Sequence, residues 1–308
     1  MSGVAGAHLE SGLETEIAEH LAANGWLYSP TDAGYDRELA LFSEDVLGWL
    51  EDSQPAEYET VVRPTDTDAQ RDAAAQSILT RLAKSLDLDP LKNGGTIRIL
   101  HEGFSMVPLH GGAVRFRVAQ FRPATTQNPD TLAAYAKMRV RVMRQVHYSV
   151  KHPNKALDLA LFVNGIPVAT VELKTDFTQP IENAVDQYRF DRSPAGERLF
   201  GFAKRSLVHF VVSNSEVRMT TRLAGAATRF LPFNKGADEG RGTPSTRTDR
   251  PHRTSGKRYS SATPGCNCWG RSCTCRSKPM STRTQARRQE RRRCCSPLSP
   301  VARRDPAG

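Results

Sequence analysis

Cysteine is absent from the first 265 residues of this 308-residue chain, and all six cysteines fall between Cys266 and Cys295. Disulfides therefore cannot stabilise the main body of the protein, and a body without cysteine is typical of a reducing compartment. The sequence also has no run of about 18 apolar residues, the length that a membrane-spanning helix needs. The N-terminus lacks the basic and apolar pattern of a secretory signal. We therefore expect a cytoplasmic protein that does not act at a membrane.

The net charge of +10 is concentrated at the C-terminal end of the chain. Residues 241–308 hold 17 Lys and Arg against 3 Asp and Glu, so the remaining residues carry a net negative charge. A body of this charge has little electrostatic attraction to DNA. In residues 241–308 the only Leu, Ile, Val or Phe residues are Leu298 and Val301, too few to offset the chain entropy lost on folding. We predict a disordered basic tail over residues 238–308.

The N-terminal part of the body has the hydrophobic periodicity of helices. Apolar residues recur at four-residue spacing ahead of Asn24-Gly25, which predicts a first helix that ends there. Two further helices are predicted over residues 36–52 and 68–87. Residues 1–95 are therefore expected to be mostly helical.

From residue 96 onward the sequence alternates apolar and polar residues, as strands do. The strand-like segments are "GTIRILHEG", "AVRFRVAQF", "RVRVMRQVHYSV" and "SLVHFVVSN". One amphipathic helix is predicted over residues 179–192. A sheet therefore dominates residues 96–220, and the chain is assigned to the α/β class.

The segment "LDLALFVNGIPVATVELK", residues 157–174, predicts a β-hairpin with its turn at Asn164-Gly165. A two-residue loop would pair Val163 with Ile166 and would mix the apolar and polar faces of the two strands. A three-residue loop with glycine in the left-handed region shifts the register by one residue and keeps the apolar faces together. We therefore predict the three-residue loop.

The preferred register gives the pairs Val163–Pro167, Leu159–Val171 and Asp158–Glu172. Asp158, Glu172 and Lys174 then point to one side of the sheet, because side chains alternate along a strand. Two opposed carboxylates repel unless a cation lies between them, and Mg²⁺ prefers oxygen ligands. A lysine on the same face can orient a water molecule and stabilise a developing negative charge. Alternatively, Asp158 and Lys174 form a surface salt bridge and Glu172 is solvated.

Several blocks of the body agree in order and spacing with a known family. They are "RVMRQVHYSV", "LDLALFVNGIPVATVELKTDF", "IENAVDQYRFDR", "LVHFVVSNSEVRMTTRLAG" and "TRFLPFNKG". Over residues 10–237 the chain resembles the N-terminal nuclease domain of the restriction (R) subunit of Type I restriction-modification enzymes. The resemblance implies a PD-(D/E)xK, restriction-endonuclease-like fold that cuts DNA with Mg²⁺. Its core, a mixed sheet flanked by helices, would be residues 96–237.

The resemblance also implies roles for individual residues. Asp158 would be the metal-binding aspartate, Glu172 the second carboxylate and Lys174 the catalytic lysine. The backbone carbonyl of Leu173 would be a further metal ligand. Glu14 on the first helix matches a glutamate that such nucleases often have beside the metal.

Two positions depart from the pattern of the superfamily. Leu157 stands where a proline commonly precedes the aspartate. The motif Q-x-x-x-Y is replaced by Gln187-Tyr188, with Asp191 at its last position. Gln187 and Tyr188 are therefore either catalytic residues or parts of the helix surface and the core, respectively. Arg189 and Arg192 on the same helix either contact phosphates or are solvated charges.

A complete restriction subunit also contains an ATP-driven motor. These 308 residues contain no G-x-x-x-x-G-K-[S/T] phosphate loop, so ATP is expected only for a motor region that this sequence lacks. The resemblance implies double-stranded DNA as the substrate, and the methylation and specificity subunits as partners, in defence against foreign DNA. One hypothesis is thus a Mg²⁺-dependent nuclease. The other is a truncated remnant that folds but neither assembles nor cleaves.

The tail has two motifs of its own. The pattern C-x-C-x4-C-x-C between Cys266 and Cys275 lacks the C-x2-C spacing of typical zinc sites, and "QARRQERRRCC" is a basic stretch that would bind DNA non-specifically.

Codons for residues 253–275 can also encode, in a shifted frame, an amphipathic segment like the one that follows "FLPFNKG" in the family. We interpret the residues after Gly240 as translated out of frame. An uninterrupted, in-frame motor in the gene would contradict this interpretation.

Overall fold

The computed structural model describes residues 3–90, 94–176 and 179–233. The helices are α1 Gly3–Ala23, α2 Ser43–Ser53, α3 Pro55–Val61, α4 Asp68–Asp87, α5 Thr96–Glu102, α6 Pro129–Ala136 and α7 Ile181–Asp186, followed by a π-helical turn, Gln187–Asp191, and a 3₁₀ turn, Arg198–Phe200. The strands are β1 Leu27–Ser29, β2 Tyr35–Asp36, β3 Leu41–Phe42, β4 Phe104–Met106, β5 Val114–Phe116, β6 Val140–His147, β7 Ala156–Val163, β8 Ile166–Leu173, β9 Val208–Val212, β10 Val217–Thr220 and β11 Leu231–Pro232. The predicted tail, with its cysteines, lies outside the described residues.

The largest element of the fold is a seven-stranded sheet in the order β1-β6-β7-β8-β9-β10-β11. The neighbours β1 and β6 are parallel, as are β8 and β9, whereas all other neighbouring strands of this sheet are antiparallel. Helices contact the sheet on both faces. The predicted mixed sheet flanked by helices is thus confirmed. None of the described helices is long and apolar enough to cross a membrane.

The two faces of the sheet bury different sets of apolar side chains. One face packs against the N-terminal helices, so that Leu13 of α1 and Leu82 of α4 share a cluster with Val171 of β8. The other face packs against α7, so that Ile181 of α7 and Val211 of β9 belong to a second cluster. The N-terminal helices therefore share their core with the sheet.

Helix α4 begins at a capping box that the sequence encodes locally. The Thr67 hydroxyl accepts a hydrogen bond from the Gln70 N–H at 3.4 Å, and the Gln70 side-chain oxygen accepts one from the Thr67 N–H at 2.9 Å. These bonds satisfy backbone donors that the first turn of a helix leaves free. The helix spans Asp68–Asp87, which confirms the predicted residues 68–87.

The segment "GTIRILHEG" forms helix α5, so the predicted strand is wrong. Gly95 and Gly103 bound the segment with φ angles of 85° and 76°, which interrupts an extended backbone on both sides. Ile99 lies in the core whereas Ile97 is exposed. A short apolar run of this kind does not distinguish a helix from a strand by its pattern alone.

The helix predicted over residues 36–52 begins only at Ser43. The residues before it form the short antiparallel pair β2 and β3. The Asp36 carboxylate accepts a hydrogen bond from the Leu39 N–H at 2.8 Å inside this hairpin. An aspartate that bonds the nearby backbone stabilises a turn in place of a helix.

The β7–β8 hairpin has a two-residue turn, so the predicted three-residue loop is wrong. Asn164 and Gly165 have φ angles of 46° and 76°, and both belong to the left-handed region that a type I′ turn requires. Val163 consequently pairs with Ile166 rather than with Pro167.

A β-bulge beyond the turn restores the predicted alignment of the two strands. The register shifts by one residue between Leu161 and Phe162, so that Val168 is the additional residue on β8. The predicted pair Leu159–Val171 is confirmed as a result. The bulge thereby keeps the apolar faces together, as the sequence requires.

The turn itself is packed against the N-terminal half of the chain. The side-chain oxygen of Asn164 accepts a hydrogen bond from the Arg139 N–H at 2.7 Å, and the Gly165 carbonyl accepts one from the Phe42 N–H at 2.8 Å. A Cβ atom added at Gly165 would lie 2.3 Å from the Phe42 carbonyl oxygen. Only glycine fits this position.

Replacing Gly165 by alanine should therefore destabilise the protein by about 2 kcal/mol or more, through positive-φ strain and overlap with the Phe42 backbone. Urea unfolding of the full chain measures the change. Gly12→Ala in α1 is the matched control: a Cβ there meets no atom within 4 Å, and the change should stabilise the helix by about 0.5–1 kcal/mol. Equal effects of the two substitutions would contradict this account of the turn.

Candidate active site

Asp158 lies on β7 at the point where the pairing with β8 ends. The paired register extends to Leu159–Val171, and one residue further the Asp158 carboxylate accepts a hydrogen bond from the Leu173 N–H at 2.7 Å. Burial raises the pKa of the Asp158 carboxyl, while the Leu173 N–H and the Lys174 ammonium oppose that rise. Asp158 is thus held against the end of β8 by its side chain.

Glu172 on β8 is a buried carboxylate, with 1% of its surface exposed. Its Oε1 atom accepts a hydrogen bond from Arg192 Nε at 2.8 Å. Burial, and secondarily the charge of Asp158, raise the pKa of Glu172 to about 8, against the opposing effect of Arg192. The alternative of a solvated Glu172 on an open sheet face is wrong.

Arg192 connects Glu172 to two other segments. Its Nη2 donates to the Ala156 carbonyl at 2.7 Å and its Nη1 to the Tyr148 hydroxyl at 3.4 Å, with the guanidinium 5.5 Å from the centre of the Tyr148 ring. Arg192 is itself buried, so it is not a solvated charge. The sequence suggested no pairing with Glu172. The one sequence signal for a buried Arg192 was that it lies four residues after Tyr188, a spacing that places both residues on one face of a helix.

Lys174 follows β8 directly and is buried at the edge of the site. Its ammonium lies 3.2 Å from Oε2 of Glu10, and its backbone N–H donates to the Val212 carbonyl at 2.9 Å. The alternative of a surface salt bridge between Asp158 and Lys174 is therefore wrong, because Lys174 is buried and pairs with Glu10 of α1. Sequence analysis missed Glu10, although Glu10 and Glu14 have the four-residue spacing that places both on one face of α1.

Glu14 is buried and neutralised by β6. Its Oε1 lies 2.9 Å from Arg144 Nε, and its Oε2 accepts hydrogen bonds from Arg144 Nη2 and Gln145 Nε2, both at 3.1 Å. Gln145 has a φ angle of 47°, a left-handed conformation within a strand, beside Asp158 in the sheet. Such strained residues cluster at functional sites.

A cavity of about 320 Å³ opens between α1 and the β6–β7 strands. Its lining consists of Glu10, Ser11, Glu14, Arg144, Gln145 and Asp158. A larger cleft of about 680 Å³ lies around Asp87 and Arg198, which form an ion pair with each other. The smaller cavity is the candidate active site because it contains Asp158 and borders Lys174 through Glu10.

Gln187 and Tyr188 lie in the π-helical turn that follows α7. Tyr188 is fully buried, and its hydroxyl is 2.8 Å from Thr170 Oγ1, which in turn is 2.7 Å from Nδ1 of His209. Oε1 of Gln187 is buried and has no hydrogen-bond partner within the described part of the chain. Tyr188 is thus a core residue with a polar attachment to β8, whereas Gln187 has an unused acceptor.

The carboxylates of the site provide few ligands for a divalent ion. Among residues 3–90, 94–176 and 179–233, no three His, Cys, Asp or Glu side chains are close enough to hold a metal together. Mg²⁺ commonly takes only one or two carboxylates and completes its shell with water and phosphate oxygens. Asp158 and Glu172 each have one oxygen without a hydrogen-bond partner in the described ranges, so they suit that ion. Both oxygens of Glu14 face donors of Arg144 and Gln145, and its predicted role as a metal ligand stays a prediction.

His209 gives this region a testable pH dependence. Burial lowers its pKa from 6.5 to about 3. Between these two pH values the His209 side chain is protonated in the unfolded chain but neutral in the folded chain. The free energy of unfolding therefore falls as the pH drops from 6.5 towards 3, by about 1.4 kcal/mol per pH unit. Urea unfolding at pH 7 and pH 5 should show a smaller loss for His209→Gln than for the wild type. His152→Gln, at an exposed position, is the control, and equal losses in all three proteins would contradict the assignment.

Comparison with known proteins identifies the family of the chain. A search among curated proteins found no match. The family model for the N terminus of the Type I restriction enzyme R protein matches residues 9–228, close to the predicted residues 10–237. That match includes all the site residues described above. The chain therefore belongs to the Type I restriction enzyme R protein N-terminal family.

Proposed function

We propose that this chain is the endonuclease region of a Type I restriction R protein, which hydrolyses phosphodiester bonds of double-stranded DNA with Mg²⁺. One observation carries the proposal: the Asp158 carboxylate bonds the N–H of Leu173, the residue between the buried Glu172 and Lys174 at the end of β8. Two carboxylates and an ammonium group at one strand end are the groups that metal-assisted hydrolysis of a phosphodiester uses. The family match supports the same chemistry at a coarser level.

Asp158, Glu172 and the Leu173 carbonyl are the proposed metal ligands. When bound, Mg²⁺ supplies Lewis-acid polarisation of the phosphate and increases the acidity of water. The Lys174 ammonium, oriented by Glu10 at 3.2 Å, stabilises the negative charge that develops on the phosphate oxygens. Glu10 thereby limits the motion of a long side chain that otherwise samples many rotamers.

Gln187 and Tyr188 have different proposed roles. The unused Oε1 of Gln187 is available to a donor on the substrate or on a bound water. Tyr188 acts through its attachment to Thr170, which fixes the π-helical turn against β8. Gln187 is therefore a candidate substrate contact, and Tyr188 is a positioning residue.

Specificity is proposed to come from other subunits. The described body carries a net negative charge, so long-range attraction to DNA is weak. We propose a complex in which methylation and specificity subunits select the DNA site and an ATP-driven motor region moves DNA; membership of the Type I restriction enzyme R protein family supports this proposal. We propose the cytoplasm, where DNA and those subunits meet, as the site of action.

The second candidate is a chain that folds without cleaving DNA. It is favoured by the pairing of Glu172 with Arg192 and of Lys174 with Glu10, which neutralises the site internally. Cleavage in the absence of the other subunits separates the two candidates.

The full chain incubated with supercoiled plasmid and Mg²⁺ should nick the DNA, and a chelator should abolish nicking. Asp158→Asn keeps the size of the side chain but removes its charge, and should slow nicking by about 100-fold or more. Lys174→Met should slow it by a similar factor, since its charge acts on the developing oxyanion. Agarose gels of a time course measure both.

Asp72→Asn, at an exposed position of α4, is the matched control and should nick at the wild-type rate. Nicking by Asp158→Asn at the wild-type rate would exclude this site as the source of the activity. A folded wild-type chain that does not nick with Mg²⁺ or Mn²⁺ would support the non-cleaving candidate.

A further inference from the structure

Arg192 is the point at which three segments of the candidate site meet. Its three nitrogens donate to Glu172 on β8, to the carbonyl of Ala156 at the start of β7, and to the Tyr148 hydroxyl in the connection between β6 and β7. Ala156 is two residues before Asp158 on β7, and Glu172 adjoins Leu173, whose N–H bonds the Asp158 carboxylate. A planar guanidinium holds several acceptors in a fixed arrangement, which a single ammonium group cannot reproduce.

Arg192 directly follows the π-helical turn. The predicted helix over residues 179–192 is α-helical only over Ile181–Asp186, and the Arg192 N–H then bonds the Gln187 carbonyl at 3.0 Å. Tyr188 and Arg192 are both buried, while Phe190 between them is exposed. π-turns of this kind frequently occur at functional sites.

The ion pair occupies only one oxygen of Glu172. Arg192 Nε takes Oε1 at 2.8 Å, and within the described residues Oε2 has no hydrogen-bond partner. Asp158 shows the same pattern, since Leu173 N–H takes Oδ2 and leaves Oδ1 without one. Each carboxylate is thus oriented by one fixed donor and keeps one oxygen for another ligand.

We propose that Arg192 is the positioning residue of the acid pair: it fixes one oxygen of Glu172 and thereby presents the other to the divalent ion that Glu172 shares with Asp158. This inference rests on the proposed function. Hydrogen-bonded partners that orient metal-binding side chains typically contribute 10- to 100-fold to metal affinity, so the effect is measurable without DNA. If Arg192 instead only competed with the metal for Glu172, a substitution that weakens the contact between Arg192 and Glu172 would tighten metal binding.

Arg192→Lys separates the two roles because it keeps the charge but loses the three-acceptor geometry. Mn²⁺ binding to the full chain is titrated through the electron paramagnetic resonance signal of free Mn²⁺. We expect one site in the wild type that Asp158→Asn removes, and an affinity about 10-fold weaker in Arg192→Lys. Arg189→Lys is the matched control, since Arg189 lies in the same turn but donates to the Thr228 carbonyl, and it should bind as the wild type does.

Two further variants show whether Arg192 acts through Glu172. In a Glu172→Gln background, adding Arg192→Lys should not weaken the residual Mn²⁺ binding further. Tyr148→Phe removes one acceptor of Arg192 and leaves every charge in place, so it should weaken binding in the same direction by a smaller factor. This variant serves as the test if Arg192→Lys does not fold, as judged by thermal unfolding.

If folded Arg192→Lys binds Mn²⁺ as tightly as the wild type or more tightly, the inference is overturned and the proposed function stays intact. Equal weakening by Arg192→Lys with and without Glu172 also overturns it, because Arg192 would then act elsewhere. A wild-type chain without a Mn²⁺ site that depends on Asp158 overturns the proposed function and the inference together.

Discussion

The ion pair between Glu172 and Arg192 is the interaction on which the rest of the site depends. Glu172 is buried beside the charge of Asp158, and a buried carboxylate without a partner costs several kcal/mol. Arg192 is the closest positive charge that the fold brings to it, at 2.8 Å. The position of Arg192 in turn depends on the π-helical turn, and that turn is attached to β8 through Tyr188 and Thr170.

The site also depends on both layers that cover the sheet. Helix α1 contributes Glu10 and Glu14 from one side, and the π-helical turn contributes Arg192 from the other. The strand ends of β7 and β8 lie between them and hold the acidic residues. Because Glu10 and Lys174 are separated by 164 positions in the chain, this arrangement exists only when the N-terminal helices are packed on the sheet.

Sequence patterns predicted well where a local rule decides the outcome. The helix predicted over residues 68–87 and the turn predicted at Asn164-Gly165 both correspond to observed elements. Sequence patterns failed where two local rules compete, as in "GTIRILHEG", whose apolar spacing fits a helix and a strand alike. The hairpin is an intermediate case: the requirement for matching apolar faces predicted the alignment of Leu159 with Val171, but a bulge rather than a longer loop provides it.

The sequence by itself determined the fold class, the family, and the presence of two acids and a lysine at one end of a hairpin, because these follow from short-range periodicity and ordered motifs. Only the tertiary structure decided which charges neutralise one another. Asp158 bonds the backbone of Leu173, Glu172 pairs with Arg192 and Lys174 with Glu10. The physical reason is that Coulomb interactions depend on distance and burial in the folded chain, and neither quantity is encoded in the spacing of residues along it.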